Sequence, residues 1–350
     1  MRILIVENGF NDLQKSRIPL GSYFQTSGNE VFYACPDPKA EEIYDIPMSR
    51  NNLAPFQIIK GCVGLNKVES EHSIEAVLSF RFIPNVLNYI ASFRNRSVNR
   101  VAVITGLGYA FISTSNSVSA IIQRKLIKLF YRIASKRIRI IAQNPDDLSD
   151  LGVSNGDVIL GSGVKNITEN TLHTDSIKLL YVGRLLKSKG ILTAVEIFEQ
   201  LRSRATNVSL TLAGIIDEDN PDSITETELL QLRNKEGVNY LGFVNNMDPI
   251  CKNCNVLLFP SIYREGVPRV IIESLRYGLT IVTRDMPGCK ETVNGNGYLM
   301  DENTTTLDVV NYLINLDSSL LLENQKRSIE SFNSTFSSEI IYPQYLEMLM

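Results

Sequence analysis

Val256-Leu-Leu-Phe-Pro-Ser-Ile-Tyr-Arg-Glu-Gly-Val-Pro-Arg-Val-Ile-Ile-Glu-Ser-Leu275 is the stretch that decides how this chain folds. Val256–Pro260 is a short apolar run, the mark of a strand buried on both faces. Pro268 suits a first helical turn, so the pattern predicts a helix over Pro268–Tyr277. Glu265 then falls in the loop at the strand's C-terminal end, and Glu273 lies on the helix. Open α/β sheets bind ligands outside the C-terminal ends of their strands. A helix N-terminus offers free N–H groups and a positive dipole end to an anion such as a diphosphate. One carboxylate in the loop and one on the helix can grip two sets of hydroxyls on one ligand, the geometry expected for a nucleotide-sugar. Two glutamates at this spacing are commonplace on surface helices. The strand, Gly266, Pro268 and the apolar helix give this pair its meaning.

Outward from this stretch, strands and helices alternate. In the first half the candidate strands are Arg2–Val6, Glu30–Ala34, Gln57–Ile59, Arg100–Ile104, Arg137–Ala142 and Asp157–Leu160. The candidate helices there are Leu13–Thr26, Ser73–Phe93 with Pro84 as a kink, and Val118–Ser135. The second half restarts with strands Ile177–Val182, Val208–Ala213, Val238–Gly242, Val256–Pro260 and Thr280–Thr283. Helices Ile191–Arg204, Thr225–Lys235, Asp248–Lys252, Pro268–Tyr277 and Thr306–Leu316 separate and follow them. Such alternation implies parallel sheets. Lys165–Ser176 is polar and without periodicity, and reads as a linker. The expected organisation is α/β: a Rossmann-like domain over residues 1–165, a second over 166–335, and a last helix over 336–350 folding back across the first. Two doubly wound domains facing each other make a cleft, a favoured place for small-molecule sites.

The 350 residues are 44% apolar and 21% charged, ordinary for a globular protein. No apolar run approaches the roughly 20 residues that span a bilayer. Met-Arg-Ile-Leu-Ile-Val-Glu7 is too short and too soon acidic for a signal peptide, so a cytoplasmic protein is expected. Five cysteines, sparse and odd in number, imply no disulfide framework. Cys251-Lys-Asn-Cys254 lacks a second pair and reads as core packing at a helix end rather than a zinc site. Charge is uneven: residues 1–165 hold 19 Lys and Arg against 14 Asp and Glu, and the remainder 16 against 24. A positive first half and an acidic second half suggest different partners.

Tyr181-Val-Gly-Arg-Leu-Leu-Lys-Ser-Lys-Gly190 follows the first strand of the second half. Gly183 allows close backbone approach to a ligand. Arg184 and Lys189, around one tight loop, can converge on a diphosphate, the arginine as a fork and the lysine as a point charge. A solvated basic loop is the plainer alternative, weakened by the anion-ready helix end near Pro268.

G-R-L-x-x-x-K-G, then E-G-V-P-x-x-x-x-E, then Met286-Pro-Gly-Cys-Lys-Glu-Thr-Val293 resemble, in order and spacing, the retaining glycosyltransferases of family GT4 with the GT-B fold. The likeness runs from about Leu179 to Met300. In the first half, Ile104-Thr-Gly-Leu-Gly-Tyr-Ala-Phe111, Asn144-Pro-Asp-Asp147 and Gly161-Ser-Gly-Val164 are similar to bacterial members that build O-antigen, capsule or other glycans on undecaprenyl diphosphate. The resemblance implies that Arg184 and Lys189 bind the donor diphosphate and stabilise its charge on leaving. It implies that Glu265 bonds the donor sugar's hydroxyls, positioning it rather than acting as a general base. Gly266, Val267 and Pro268 would face sugar and phosphate, Glu273 the ribose, and Phe243 and Val244 the base. Acceptor-side residues would be Asn8 and Gly9 in one loop and Thr105, Gly106 and Gly108 in another, within a membrane-facing first domain. The implied donor is a UDP-sugar carrying a hexose or N-acetylhexosamine, and the acceptor a lipid-linked glycan. Where many relatives have an Asp after the junction Gly-Val, this chain has Lys165. In place of a Gly-Gly loop it has Glu7-Asn-Gly-Phe10.

Asp217-Glu-Asp219 matches a D-x-D metal motif of a different transferase fold but sits in an Asp- and Pro-containing loop. It reads as a solvated turn, and no metal or other cofactor is expected. Ser119–Arg139 carries seven Lys and Arg, no acid, and an interleaved apolar set. It reads either as a helix packed on its sheet or as a cationic surface for anionic lipid at the inner membrane face, and both can hold. No nucleic-acid motif accompanies the basic patch. The alternatives that remain are a non-catalytic nucleotide-sugar-binding subunit and another enzyme of the same fold, such as a nucleotide-sugar epimerase or a phosphorylase. A dinucleotide oxidoreductase is disfavoured because Gly106-Leu-Gly108 lacks its third glycine.

Overall fold

The computed structural model describes residues 1–48, 54–108, 111, 117–167, 176–205, 207–218 and 220–350. Most of the expected linker, together with Tyr109, Ala110 and Asp219, lies outside them. The chain divides into two compact units, Met1–Val164 with Ser338–Met350, and Lys165–Ser337.

The first unit runs β1 (Arg2–Val6), α1 (Phe10–Asp12), α2 (Ile18–Thr26), β2 (Glu30–Cys35), β3 (Ile43–Asp45), α3 (Pro55–Glu71), β4 (Ala76–Phe80), α4 (Phe82–Ala91), β5 (Asn99–Ile104), α5 (Val118–Ala134), β6 (Arg139–Ala142), α6 (Pro145–Leu151) and β7 (Asp157–Val158). A π-helical turn, Leu13–Arg17, joins α1 to α2. Its parallel sheet has the order β3-β2-β1-β4-β5-β6-β7. Strand order reverses between β1 and β4, the mark of a doubly wound sheet. One sheet face packs Leu13, Leu20 and Phe24 together with Ile341, Tyr342 and Tyr345 of the last helix. Burying each such side chain contributes about 1.5–3 kcal/mol, which ties the chain's end to this unit. The opposite face carries α3, α4 and α5.

The second unit runs β8 (Ile177–Val182), α7 (Ile191–Arg202), β9 (Val208–Ala213), α8 (Glu226–Arg233), β10 (Val238–Gly242), α9 (Asp248–Lys252), β11 (Val256–Phe259), α10 (Arg269–Arg276), β12 (Thr280–Arg284), β13 (Gly297–Met300), α11 (Thr306–Ile314) and α12 (Ser318–Ser331), before α13 (Ser338–Glu347). Its parallel order is β10-β9-β8-β11-β12-β13, with the reversal between β8 and β11. β11 is buried along its length, as its unbroken apolar run requires.

Two sequence expectations fail in the first unit. Gln57–Ile59 is not a strand but part of α3. Ser73–Phe93 is not one kinked helix: Ala76–Phe80 is a fully buried strand, and α4 starts at Phe82. Pro84 sits in the first turn of α4, where its missing N–H leaves no intrahelical bond unmade. Short apolar runs carry no periodicity that separates strand from helix, and both errors are of that kind. The short strands β3 and β13 and the helices α6 and α12 also escaped the pattern.

Candidate functional site at the edge of the second sheet

All strands of the second unit are parallel, so the loops after β8, β9, β10, β11 and β12 leave from one sheet edge. Backbone contacts that only glycine permits lace four of these loops together. Gly183 (φ 155) and Gly214 (φ 152) lie face to face, and a Cβ on Gly214 would fall 1.8 Å from the Gly183 carbonyl oxygen. Gly190, left-handed at the start of α7, lies against Pro260: a Cβ there would sit 2.4 Å from the Pro260 carbonyl oxygen. The Ile262 N–H donates to the Ser188 carbonyl at 2.8 Å. Gly288, within the third sequence block, passes directly beneath Gly266, and a Cβ there would lie 1.2 Å from the Gly266 carbonyl oxygen.

On this scaffold Lys189 and Glu265 meet across the β8 and β11 loops, at the point of strand-order reversal. Lys189 Nζ lies 2.5 Å from Glu265 Oε1, with side chains only 14% and 21% exposed. The ammonium also stands 5.6 Å from the Tyr263 ring centroid. Arg184 turns toward the β9 loop and donates to Asp217 Oδ2 at 2.6 Å. Each cation has its own carboxylate, and Asp217, expected as a solvated turn, is a half-buried partner of Arg184. The reason is the Gly183–Gly214 contact, which brings the β9 loop within reach of Arg184.

Pro268 caps α10 with extended backbone. Val267 is buried, while Gly266 is tucked against the β12 loop. None of the described residues accepts a hydrogen bond from the backbone N–H of Gly266 or Val267. Glu273, one turn into α10, accepts at Oε1 from Arg269 Nε at 2.8 Å. Phe243 is 64% exposed after β10, with Val244 half-buried beside it. Cys289, behind Gly288, is fully buried, and burial, helped by the Glu265 and Glu291 carboxylates, pushes its thiol up to about 12. Cys251 and Cys254 are buried free thiols at the end of α9. Among the described residues no cluster of His, Cys, Asp and Glu has a metal-holding arrangement.

In the first unit, Asn8 and Gly9 follow β1, and Thr105, Gly106 (φ 110) and Gly108 (φ 70) follow β5. Between them, at the end of β4, stands Arg81, which sequence reasoning took for a helix interior. Its φ of 73 is rare for a residue with a Cβ and costs on the order of 1–3 kcal/mol. Positive φ at an arginine leaves no trace in sequence, so nothing there would have singled it out. The Asn144-Pro-Asp-Asp147 block is a helix cap: the Asn144 side chain accepts the Asp147 N–H at 2.8 Å. Gly163 in Gly161–Val164 makes room for Tyr342 of α13.

Comparison with known proteins follows the same division. Residues 165–329 match the family described as glycosyl transferases group 1. Over 99% of this chain and 98% of its own length, the N,N'-diacetylbacillosaminyl-diphospho-undecaprenol alpha-1,3-N-acetylgalactosaminyltransferase of Campylobacter jejuni is 25% identical. The capsular polysaccharide biosynthesis glycosyltransferase CapM of Staphylococcus aureus is 30% identical over 57% of each chain. The structure of Anabaena Alr3699/HepE in complex with UDP-glucose superposes with a TM-score of 0.76 at 17% identity, covering 100% of this chain and 99% of that one. The two doubly wound units therefore have the GT-B fold.

Proposed function

We propose that this chain, whose residues 165–329 match the group 1 glycosyl transferases, is a glycosyltransferase that moves a hexose or N-acetylhexosamine from a UDP-sugar to an undecaprenyl-diphosphate-linked glycan. The observation that carries this reading is the Lys189–Glu265 contact at the β8–β11 reversal, beside the N–H groups of Gly266 and Val267. The full-length likeness to a lipid-linked acetylgalactosaminyl transferase supports the acceptor class, and the UDP-glucose held by a neighbour of the same fold supports the donor class.

Breaking the anomeric C–O bond leaves negative charge on the diphosphate. Fixed donors aimed at that charge lower the barrier without reorganising. A guanidinium has five N–H donors and an ammonium three. Arg184 and Lys189 can therefore keep Asp217 and Glu265 and still reach phosphate oxygens. Glu265, held by Lys189, presents its carboxylate to the sugar hydroxyls. Glu273 gives one oxygen to Arg269 and the other to the ribose. Phe243 and Val244, at the same sheet edge, cover the base. The transfer proceeds with retention, the leaving phosphate assisting the acceptor's deprotonation on the same face. The donors of Arg184 and Lys189 not spent on Asp217 and Glu265 meet the diphosphate, and turnover is metal-independent.

The first unit is the acceptor and membrane side, at the inner face of the cytoplasmic membrane. No described helix is long and apolar enough to cross a bilayer. α5, however, exposes Ile122, Leu126, Leu129 and Ile133 at 53%, 60%, 55% and 45%, interleaved with Lys125, Lys128 and Arg132. α3, on the same sheet face, exposes Phe56, Ile59 and Val63 at about the same level. Apolar side chains among cations on one layer suit an anionic lipid surface.

The test is product mass after incubation with a panel of nucleotide-sugars and undecaprenyl-diphosphate-linked saccharides, with and without EDTA. The expected result is one sugar increment from a UDP-sugar, unchanged by EDTA. No transfer from any UDP-sugar defeats the reading, and loss in EDTA restored by Mn²⁺ defeats the metal-independent mechanism.

A further inference from the structure

The first sheet carries Asn8 and Thr105 on the loops at the C-terminal ends of its strands. Its opposite edge holds a cavity of about 540 Å³, where α4 and α5 end and β5 and β6 begin. Arg96, Lys136, Arg137 and Arg139 line this cavity, and no aspartate or glutamate does. Two of these cations are held in place. Arg137 donates through Nε to the Ser92 hydroxyl at 2.6 Å and through Nη2 to the Ser92 carbonyl at 2.5 Å, and its guanidinium lies 4.1 Å from the Phe93 ring centroid. Arg139 donates through Nη1 to the Met348 carbonyl at 2.7 Å. Arg96 and Lys136 are exposed and have no carboxylate partner among the described residues. Arg100, in the same wall, is buried. Glu69 neutralises it, with Nη1 and Nη2 each 2.8 Å from a carboxylate oxygen, while its Nε has no acceptor among the described residues.

Helix ends explain part of this arrangement. A helix C-terminus carries about half a negative charge and attracts a cation. Arg137 fills that role at the end of α4, on the Ser92 carbonyl. Two such half charges do not offset four cations. Like charges around one cavity repel, and an entering anion relieves that repulsion. The fixed guanidinium groups also keep donors free: of five N–H groups, Arg137 uses two and Arg139 one. Phosphate oxygens match that fork. The buried Arg100 Nε is a further donor without a partner, which native interiors rarely leave. We propose that this cavity binds an anion bearing two or more phosphate groups, either a soluble polyphosphate or the headgroup of an acidic phospholipid. Arg137 and Arg139 orient the phosphates, and Arg96 and Lys136 close on them. The site lies on the sheet edge away from the loops expected to face the acceptor, and it stands apart from the transferase reading.

The experiment has two arms, both on the full chain. The first titrates inorganic tripolyphosphate calorimetrically at low salt, with UDP in excess to occupy the donor edge. It compares the wild type with Arg96→Ala/Lys136→Ala and with Lys125→Gln/Lys128→Gln, which lowers the charge of α5 alone. The second arm sediments the wild type and Arg96→Ala/Lys136→Ala with vesicles containing cardiolipin, which has two phosphates, or phosphatidylserine at equal charge. Losing charge-assisted contacts predicts tripolyphosphate affinity lower by roughly 10-fold or more in Arg96→Ala/Lys136→Ala and within about twofold of wild type in the α5 pair. That result assigns a soluble anion. A preference for cardiolipin that disappears in Arg96→Ala/Lys136→Ala assigns a lipid headgroup. Absence of binding in the first arm together with no cardiolipin preference in the second overturns the proposal. So does tripolyphosphate affinity lowered equally in both pairs, which marks diffuse attraction. Arg96 and Lys136 are exposed, so their replacement leaves the fold intact. Both readouts are differences between variants and need no sugar transfer, so this proposal and the transferase reading fail separately.

Discussion

A methyl group on Gly288 would sit 1.2 Å from the Gly266 carbonyl oxygen, at a φ of 84 that already disfavours any other residue. Gly288→Ala must therefore move the loop that carries Glu265. The left-handed strain and the clash together predict about 2 kcal/mol or more of destabilisation and a marked loss of turnover. A melting curve and turnover equal to wild type would contradict the role given to this contact. Legibility at this scale is uneven. Arg184, Lys189, Glu265 and Glu273 stood out because local spacing set them on a loop and a helix. Asp217 stood out only as a motif and not as the partner of Arg184, and Arg269 and Arg81 did not stand out, because what matters about all three is a partner or a backbone angle. Asp217 is 33 residues from Arg184, and Arg81 earns its place through a φ that no sequence pattern encodes.

At the scale of elements, α5 matches the expectation for Val118–Ser135 almost to its ends. The packing reading holds for Tyr131 and Ala134, which are buried on the sheet, while Leu126 and Leu129 face out. Each cation near an anionic surface contributes about 1 kcal/mol. Replacing Lys125, Lys128 and Arg132 with glutamine should weaken sedimentation with phosphatidylserine-containing vesicles by on the order of 100-fold. Unchanged binding would return α5 to plain packing. β4 was the element least visible beforehand. Its five residues show no alternation because a central parallel strand is buried on both faces, and an adjoining helix of similar hydropathy hid the boundary.

For the whole molecule, the doubly wound architecture was legible because the β-α alternation runs along the entire chain, while the order of strands in each sheet was not, since it depends on contacts distant in sequence. Stability should also carry a signature of the buried thiols. Burial raises Cys289 from 9.0 to about 12 and Cys254 to about 11. In the folded chain these thiols stay neutral where the unfolded chain loses their protons, so stability is full below pH about 9 and falls as pH rises toward 12. Melting temperatures measured across that window should drop, less steeply in Cys289→Ala than in wild type. Parallel slopes would contradict the assignment.

The proposed function requires the β8–β11 edge of the second unit to hold the nucleoside diphosphate of a sugar donor. Calorimetric titration of UDP into the wild type and into Glu273→Ala and Lys189→Met, each checked for an intact fold by circular dichroism, measures this directly. The wild type should bind UDP, with affinity lower by roughly 10-fold or more in each variant. UDP affinity equal in all three proteins would contradict it.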